Sequence, residues 1–262
     1  MTTPDRPLRL ELSFEVPGTL EQVWDAIATA NGMSSWFIPS DVEERPGGAV
    51  VFHMGETSSR GHITDWDPPR RIAYEEPDWA SLVGQEGAQV TPLATEFLIE
   101  ATSGGTCVVR VVSSAFGTGA DWEREFFDDM ERGWAPAFDT LGRYLVHFPG
   151  QKVTTMWVDA QVDMSLRDAW AALRTGLGAH ELGPIEIRDL KGEVERIGTE
   201  ELLVRLTEPV PGFLRFASYN MGDKTLLNVN GHVFSDDAPS FVERERPIWT
   251  EWLQSLGSTK TT

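Results

Sequence analysis

The sequence predicts an α+β fold built twice in tandem, each copy an antiparallel sheet with a long helix across it. Three observations predict it. GTLEQVWDAIAT (18–29) and MSLRDAWAALRT (164–175) write nearly the same helix at an offset of 146 residues. Short runs of strand character follow each copy, separated by Gly, Pro and Asp clusters, and short turns favour antiparallel neighbours. Each half then closes on a stretch of helical period.

LRLELSFEV (8–16) alternates apolar and polar residues, as a half-buried strand does. Thr19 with Gln22 three residues on is a capping box, and Leu20, Val23, Trp24 and Ile27 then share one helix face over 19–30. NGMSSWFIPS (31–40) reads as a turn or a second small helix carrying Trp36 and Phe37. Strand-like runs follow at 41–45, 48–54, 60–66, 70–75, 94–101 and 105–114, with a pattern-poor loop over 76–92. From Asp121, the residues Trp122, Phe126, Met130, Trp134, Phe138, Leu141 and Leu145 step by three or four, the spacing of one helix face. Pro136 should kink or restart that helix.

HFPGQKV (147–153) is the expected linker between domains 1–148 and 149–262. In the second half a strand at 153–162 leads into the copied helix, where Ser165 is the cap and Leu166, Ala169, Trp170 and Leu173 repeat the apolar face. Strands are expected at 184–189, 192–197, 200–206, 212–219 and 224–234, and a last helix at 239–256. The closing helices echo each other at an offset of 111: Pro136 with Pro247, Phe138 with Trp249, Leu145 with Leu256. The second copy is therefore about 35 residues shorter. Its GLGAHELG (176–183) stands where the first copy has Trp36 and Phe37, and it lacks that pair.

A chain of 262 residues that is 40% hydrophobic and 24% charged has the composition of a soluble globular protein. No apolar run is long enough for a transmembrane helix, and the N-terminus has no apolar core of a secretory signal. Cys107 is the one cysteine, so no internal disulfide forms and a cytoplasmic location is expected. Its strand-like setting, TCVVRVV, reads as a buried inert thiol. The formal charge of −19 repels nucleic-acid phosphate and anionic lipid, so neither a nucleic-acid partner nor membrane insertion is expected. Ten tryptophans point to large apolar cores or to cavities with aromatic walls.

Three separated stretches carry a resemblance: FEVPGTLEQVWDAIATANGMSSWF, GHITDWDPPRRIAYE and GWAPAFDTLGRYL. Together they resemble the SRPBCC (START/Bet v 1-like) superfamily, and within it the AHSA1-like branch named for the activator of Hsp90 ATPase homologue. The likeness spans roughly 8–147, and the second half looks like a degenerate copy. It implies two tandem helix-grip domains, each a curved antiparallel sheet wrapped around its long C-terminal helix. It also implies a deep apolar cavity between sheet and helix, of the kind that binds lipids, steroids or polyketides. Some members are cyclases, aromatases or hydrolases. Nothing here resembles the separate N-terminal domain with which the co-chaperone activates Hsp90, so Hsp90 is not an expected partner.

Under that resemblance the candidate ligand-binding residues are Trp36, Phe37, Phe52, Trp66, Tyr74, Phe97, Phe126 and Trp134, with His53 and His62 as polar handles. If Thr57-Ser58 centres a hairpin, His53 and His62 face each other across two strands, with Phe52 and Ile63 on the other face. A metal site needs a third ligand, and none can be placed, so no metal or cofactor is expected. TDWDPPRR (64–71) reads as a turn with surface ion pairs, and Asp128, Asp129 and Glu131 as the solvated face of the long helix. Gly47-Gly48 and Gly104-Gly105 are hairpin turns, and no catalytic constellation stands out. The leading reading is a module that binds a hydrophobic or aromatic small molecule in the N-terminal domain. A polyketide cyclase- or aromatase-like enzyme and a protein-interaction module without a ligand are the alternatives.

Overall fold

The structure is a computed structural model that describes residues 6–221 and 224–258. Its contacts divide the chain into two compact units, Met1–Gln151 and Lys152–Thr262. The first unit runs β1 (Arg6–Pro17), α1 (Leu20–Ala28), α2 (Ala30–Ser34), β2 (Ser40–Val42), β3 (Ala49–Met54), β4 (Thr57–Asp67) and β5 (Arg71–Glu76). A 3-10 turn (Trp79–Val83), β6 (Leu93–Ala101), β7 (Thr106–Gly117) and α3 (Asp121–His147) complete it. Its strands form one sheet in the order β1-β7-β6-β5-β4-β3-β2. Every neighbouring pair is antiparallel.

Helix α1 begins as its sequence demands. The Gln22 N–H donates to Thr19 Oγ1 at 3.3 Å, and the Thr19 N–H donates to Gln22 Oε1 at 2.9 Å. Thr29 ends α1 and caps α2, its Oγ1 accepting from the Gly32 N–H at 3.0 Å. Gly32 permits this junction: a Cβ there would lie 1.9 Å from the Asp25 carbonyl oxygen.

The sheet's period of two sorts its side chains. Ile72, Tyr74 and Glu76 of β5, Leu93, Thr95, Phe97 and Ile99 of β6, and Val109, Val111 and Ser113 of β7 are all buried. This is the face that α3 covers. Phe138 stacks on Phe14 of β1 at 4.1 Å, and Trp134 meets Phe97 edge-on at 5.6 Å. A bulge in the β4–β5 pairing between Ile63 and Asp65 adds local bend and twist.

Helix α3 does not restart at Pro136 but runs through it. Thr140 Oγ1 donates to the Pro136 carbonyl oxygen at 3.0 Å. The buried stripe is Phe127, Trp134, Phe138, Leu141 and Leu145, whereas Phe126 and Met130, placed on it by spacing, are half-buried. The stretch 76–92 is not a plain loop either. Its 3-10 turn buries Trp79 completely against Trp122, Phe126 and Phe127, and Trp79 Nε1 donates to the Thr91 carbonyl oxygen at 2.9 Å.

The second unit repeats the plan: β8 (Thr154–Val162), α4 (Leu166–Leu177), β9 (Gly183–Ile187), β10 (Leu190–Ile197), β11 (Glu201–Glu208), β12 (Gly212–Met221), β13 (Lys224–Val233) and α5 (Ala238–Ser258). Its sheet order is β8-β13-β12-β11-β10-β9. In both units the last strand returns beside the first, and a long helix follows. Trp24 and Trp170, the tryptophans of the repeated helix, are 8% and 9% exposed. The shortening falls where the sequence locates it. Among the described residues this unit has no counterpart of α2 or of the 3-10 turn, and its sheet has six strands against seven.

Candidate functional site

Five of the sequence-predicted residues close an aromatic circuit. Phe37 follows α2, Phe52 lies on β3, Tyr74 on β5, Phe97 on β6 and Trp134 on α3. Ring centroids are 6.1 Å apart for Phe37–Phe52, 5.5 Å for Phe52–Tyr74 and 6.4 Å for Tyr74–Phe97. Phe97–Trp134 at 5.6 Å and a stacked Trp134–Phe37 pair at 5.3 Å complete it. All five spacings lie within the attractive range for aromatic pairs. The strands contribute by register: Phe97 is opposite Ile72, and Tyr74 opposite Thr95, so the rings alternate with smaller side chains across the face.

Polar side chains are set into this same face. Ser59 Oγ donates to Glu76 Oε1, and Thr95 and Ser113 share a hydrogen bond of 3.1 Å. Burial raises the Glu76 carboxyl above the ordinary carboxylate range, and the bond from Ser59 only partly opposes that. Burial likewise pushes the Tyr74 phenol well up, against a hydrogen bond with Thr95, and whenever Glu76 ionises its charge pushes the phenol further. Both groups are thereby favoured in their neutral, proton-bearing forms, which are hydrogen-bond donors. Gly61 lies next to Glu76 across the β4–β5 pairing and brings no side chain, so the Glu76 chain can lie over it; a Cβ on Gly61 would sit 3.2 Å from Glu76 Cγ.

Glu76 is a site residue that sequence reasoning missed. The signal was present: residues 72, 74 and 76 share a face by period two. The strand expected at 70–75 stops one residue short, whereas β5 runs to Glu76.

The other predicted residues fall elsewhere. Trp36 is buried beside the circuit, its Nε1 donating to the Ala26 carbonyl oxygen at 2.9 Å and its ring touching Phe37 and Phe138. Trp66 packs edge-on against Trp24 of α1 at 5.0 Å. Phe126 belongs to the cluster around Trp79, at 4.7 Å.

The two histidines do not face each other. Gly55, with φ of 66°, makes the turn at 55–56, so His53 is opposite Ser58 and His62 opposite Ala49. They lie on the face turned away from Phe52 and Ile63. His62 is exposed, and His53 Nε2 is 2.8 Å from Asp41 Oδ2. They are not handles for a ligand held by the aromatic circuit. Among the described residues no group of three His, Cys, Asp or Glu side chains is placed to hold a metal ion. Arg71 pairs with Asp65 at 2.7 Å and with Glu96, half-exposed contacts of the kind worth about 0–1 kcal/mol.

Among the described residues the second unit does not repeat the circuit. At the offset of 111, Glu245 stands in the place of Trp134. It is buried and paired with Arg188, whose guanidinium lies 4.5 Å over the Trp249 ring. An ion pair and a cation–π contact thus occupy the place that the first unit gives to aromatic rings.

No helix among the described residues is long and apolar enough to cross a membrane. Residues 18–146 match the family model described as "Activator of Hsp90 ATPase homolog 1-like protein". No curated protein matches the chain. Similar solved structures include the di-domain ARO/CYC BexL from the BE-7585A biosynthetic pathway, at 14% identity and a TM-score of 0.43, covering 97% of this chain and 100% of that one. DynU16 from the dynemicin biosynthetic locus is 15% identical with a TM-score of 0.43, covering 97% and 98%. Protein MLL2253 from Mesorhizobium loti is 17% identical with a TM-score of 0.47, covering 54% and 98%. The second unit repeats the order of strands and helices in shortened form, and the N-terminal unit, over residues 18–146, belongs to the Activator of Hsp90 ATPase homolog 1-like family of the SRPBCC superfamily.

Proposed function

We propose that the N-terminal unit binds a hydrophobic, aromatic small molecule between its sheet and α3, in the cytoplasm. One observation carries this reading. The aromatic circuit of Phe37, Phe52, Tyr74, Phe97 and Trp134 adjoins buried donors on the same face. Small-molecule sites are mostly apolar and aromatic with a few fixed polar groups, and this face has that composition. Five rings of low flexibility offer a planar ligand stacking and edge contacts at little entropic cost. The shortened unit, where Glu245 and Arg188 fill the equivalent place, has no such role in the proposal.

Native mass spectrometry of the purified chain beside a denatured sample tests it, followed by titration of naphthalene derivatives into the ligand-stripped protein. Co-purified mass lost on denaturation, or saturable quenching of tryptophan fluorescence by a naphthalene, is the expected result. Absence of both would end the reading. A second reading, a cyclase- or aromatase-like enzyme, is favoured by one feature. Glu76 is an acid beside the circuit whose protonated form, the one able to polarise a ligand carbonyl, is favoured by burial.

A further inference from the structure

Trp134 is 5% exposed, and among the described residues its Nε1–H has no hydrogen-bond partner. An indole N–H is a donor only, and leaving one unmet in an apolar setting costs roughly 1–3 kcal/mol. Two other buried tryptophans of the unit do find acceptors: Trp36 donates to the Ala26 carbonyl oxygen and Trp79 to that of Thr91, both at 2.9 Å. The rings around Trp134 are Phe37, Phe97 and Phe138, none of which carries an acceptor. A phenylalanine at 134 would make the same ring contacts without an orphan donor. Trp249 of the second unit also has an unmet Nε1–H, but its ring is covered by Arg188.

Resting on the binding reading above, we infer that the ligand is a planar aromatic carbonyl compound, a ketone or quinone, whose oxygen accepts a hydrogen bond from Trp134 Nε1–H while its rings lie against the aromatic circuit. The oxygen would satisfy a donor that the fold leaves unmet, and the rings would replace water-exposed apolar area with aromatic contacts. A hydrocarbon of the same shape gains the contacts but not the bond. Glu76 lies on the same face, and burial favours its protonated form, which would be a second donor of the same polarity, so both polar groups favour an acceptor over a cation or an amine.

The test uses two isosteres on the full chain, 2-acetylnaphthalene and 2-isopropenylnaphthalene, which differ by C=O against C=CH2. Affinities are measured by tryptophan quenching for the wild type and for Trp134→Phe. The ratio of ketone to alkene affinity is expected to fall about tenfold in the variant, the worth of one buried hydrogen bond, with the alkene changed less than about twofold. Binding of both probes with an unchanged ratio overturns the role of Trp134 and leaves the binding reading standing. Failure of both probes to bind the wild type overturns the two together. A readout without a variant is the infrared carbonyl stretch of carbonyl-labelled 2-acetylnaphthalene on the wild type. A shift to lower frequency than in hexane is expected, and a hexane-like frequency overturns the inference.

Discussion

Glu123 holds the start of α3, and replacing it with glutamine measures by how much. The carboxylate is 1% exposed yet takes four hydrogen bonds. Its Oε1 accepts from the Thr118 N–H and Thr118 Oγ1, both at 2.9 Å; Oε2 accepts from the Gly119 N–H at 2.8 Å and the Ala120 N–H at 3.2 Å. Glutamine has one acceptor oxygen, so two of the four donors would face an amide NH2. The Thr118 hydroxyl can turn to accept, which recovers one bond. Each bond to a charged acceptor contributes roughly 1.5–3 kcal/mol, so Glu123→Gln should destabilise the first unit by about 2–4 kcal/mol. For a domain of this size that is a fall in Tm of about 5–15 °C. Urea and thermal unfolding at pH 7, followed by tryptophan fluorescence, measure it, since Trp122 lies in the same helical turn and Trp79 packs on it. Glu125→Gln, at an exposed position one residue off this face, is the control and should stay within about 0.5 kcal/mol. Burial opposes ionisation of Glu123, but the bonds from Thr118, Gly119 and Ala120 outweigh it and lower its folded pKa below 4.5. Its contribution is therefore complete above pH 4.5 and is lost as pH falls through the lower folded value. The gap between wild type and variant should close on acidification. A variant within 0.5 kcal/mol of wild type at pH 7, or a gap that widens in acid, would refute this account of the helix start.

Glu76 has the opposite sign. Its folded pKa lies above the unfolded 4.5, so its stabilising share is complete below pH 4.5 and is lost as pH rises through the folded value. Glu76→Gln should therefore gain stability relative to wild type between pH 4 and pH 7.5 in thermal scans, and a constant difference would show that folding does not raise the carboxyl pKa. Gly32→Ala would place a Cβ 1.9 Å from the Asp25 carbonyl oxygen, a backbone atom that cannot swing aside. It should cost about 1–3 kcal/mol in urea unfolding, whereas Gly133→Ala, which meets nothing within 4 Å on exposed α3, should be neutral to stabilising.

Much of the architecture was legible before any coordinates, because local rules act where the sequence states them. The capping box of Thr19 and Gln22 starts α1, and its register with Ser165 revealed the duplication. Phe52, Tyr74, Phe97 and Trp134 were legible as candidate aromatics, but it is the strand registers and the packing of α3 that bring them to one face. The hairpin of His53 and His62 shows the limit. Their pairing depends on which residues form the turn, and Gly55 made it two residues earlier on each arm. The resulting slip is even, so the faces were read correctly while the partners were not.

By itself the sequence determined the α+β class, the tandem repeat, the shortened second copy, the helix starts and the alternation of faces, since each follows from contacts within a few residues or from self-similarity. Only the tertiary structure decided which aromatics meet. It closed five of them into a circuit, sent Trp66 to Trp24 and Phe126 to Trp79, buried Glu76 beside Tyr74, and left the Trp134 indole without an acceptor among the described residues. The physical reason is that ring contacts, desolvation and unmet donors depend on residues far apart in the chain. Local periodicity sets the direction of a side chain, and only long-range packing determines what it meets.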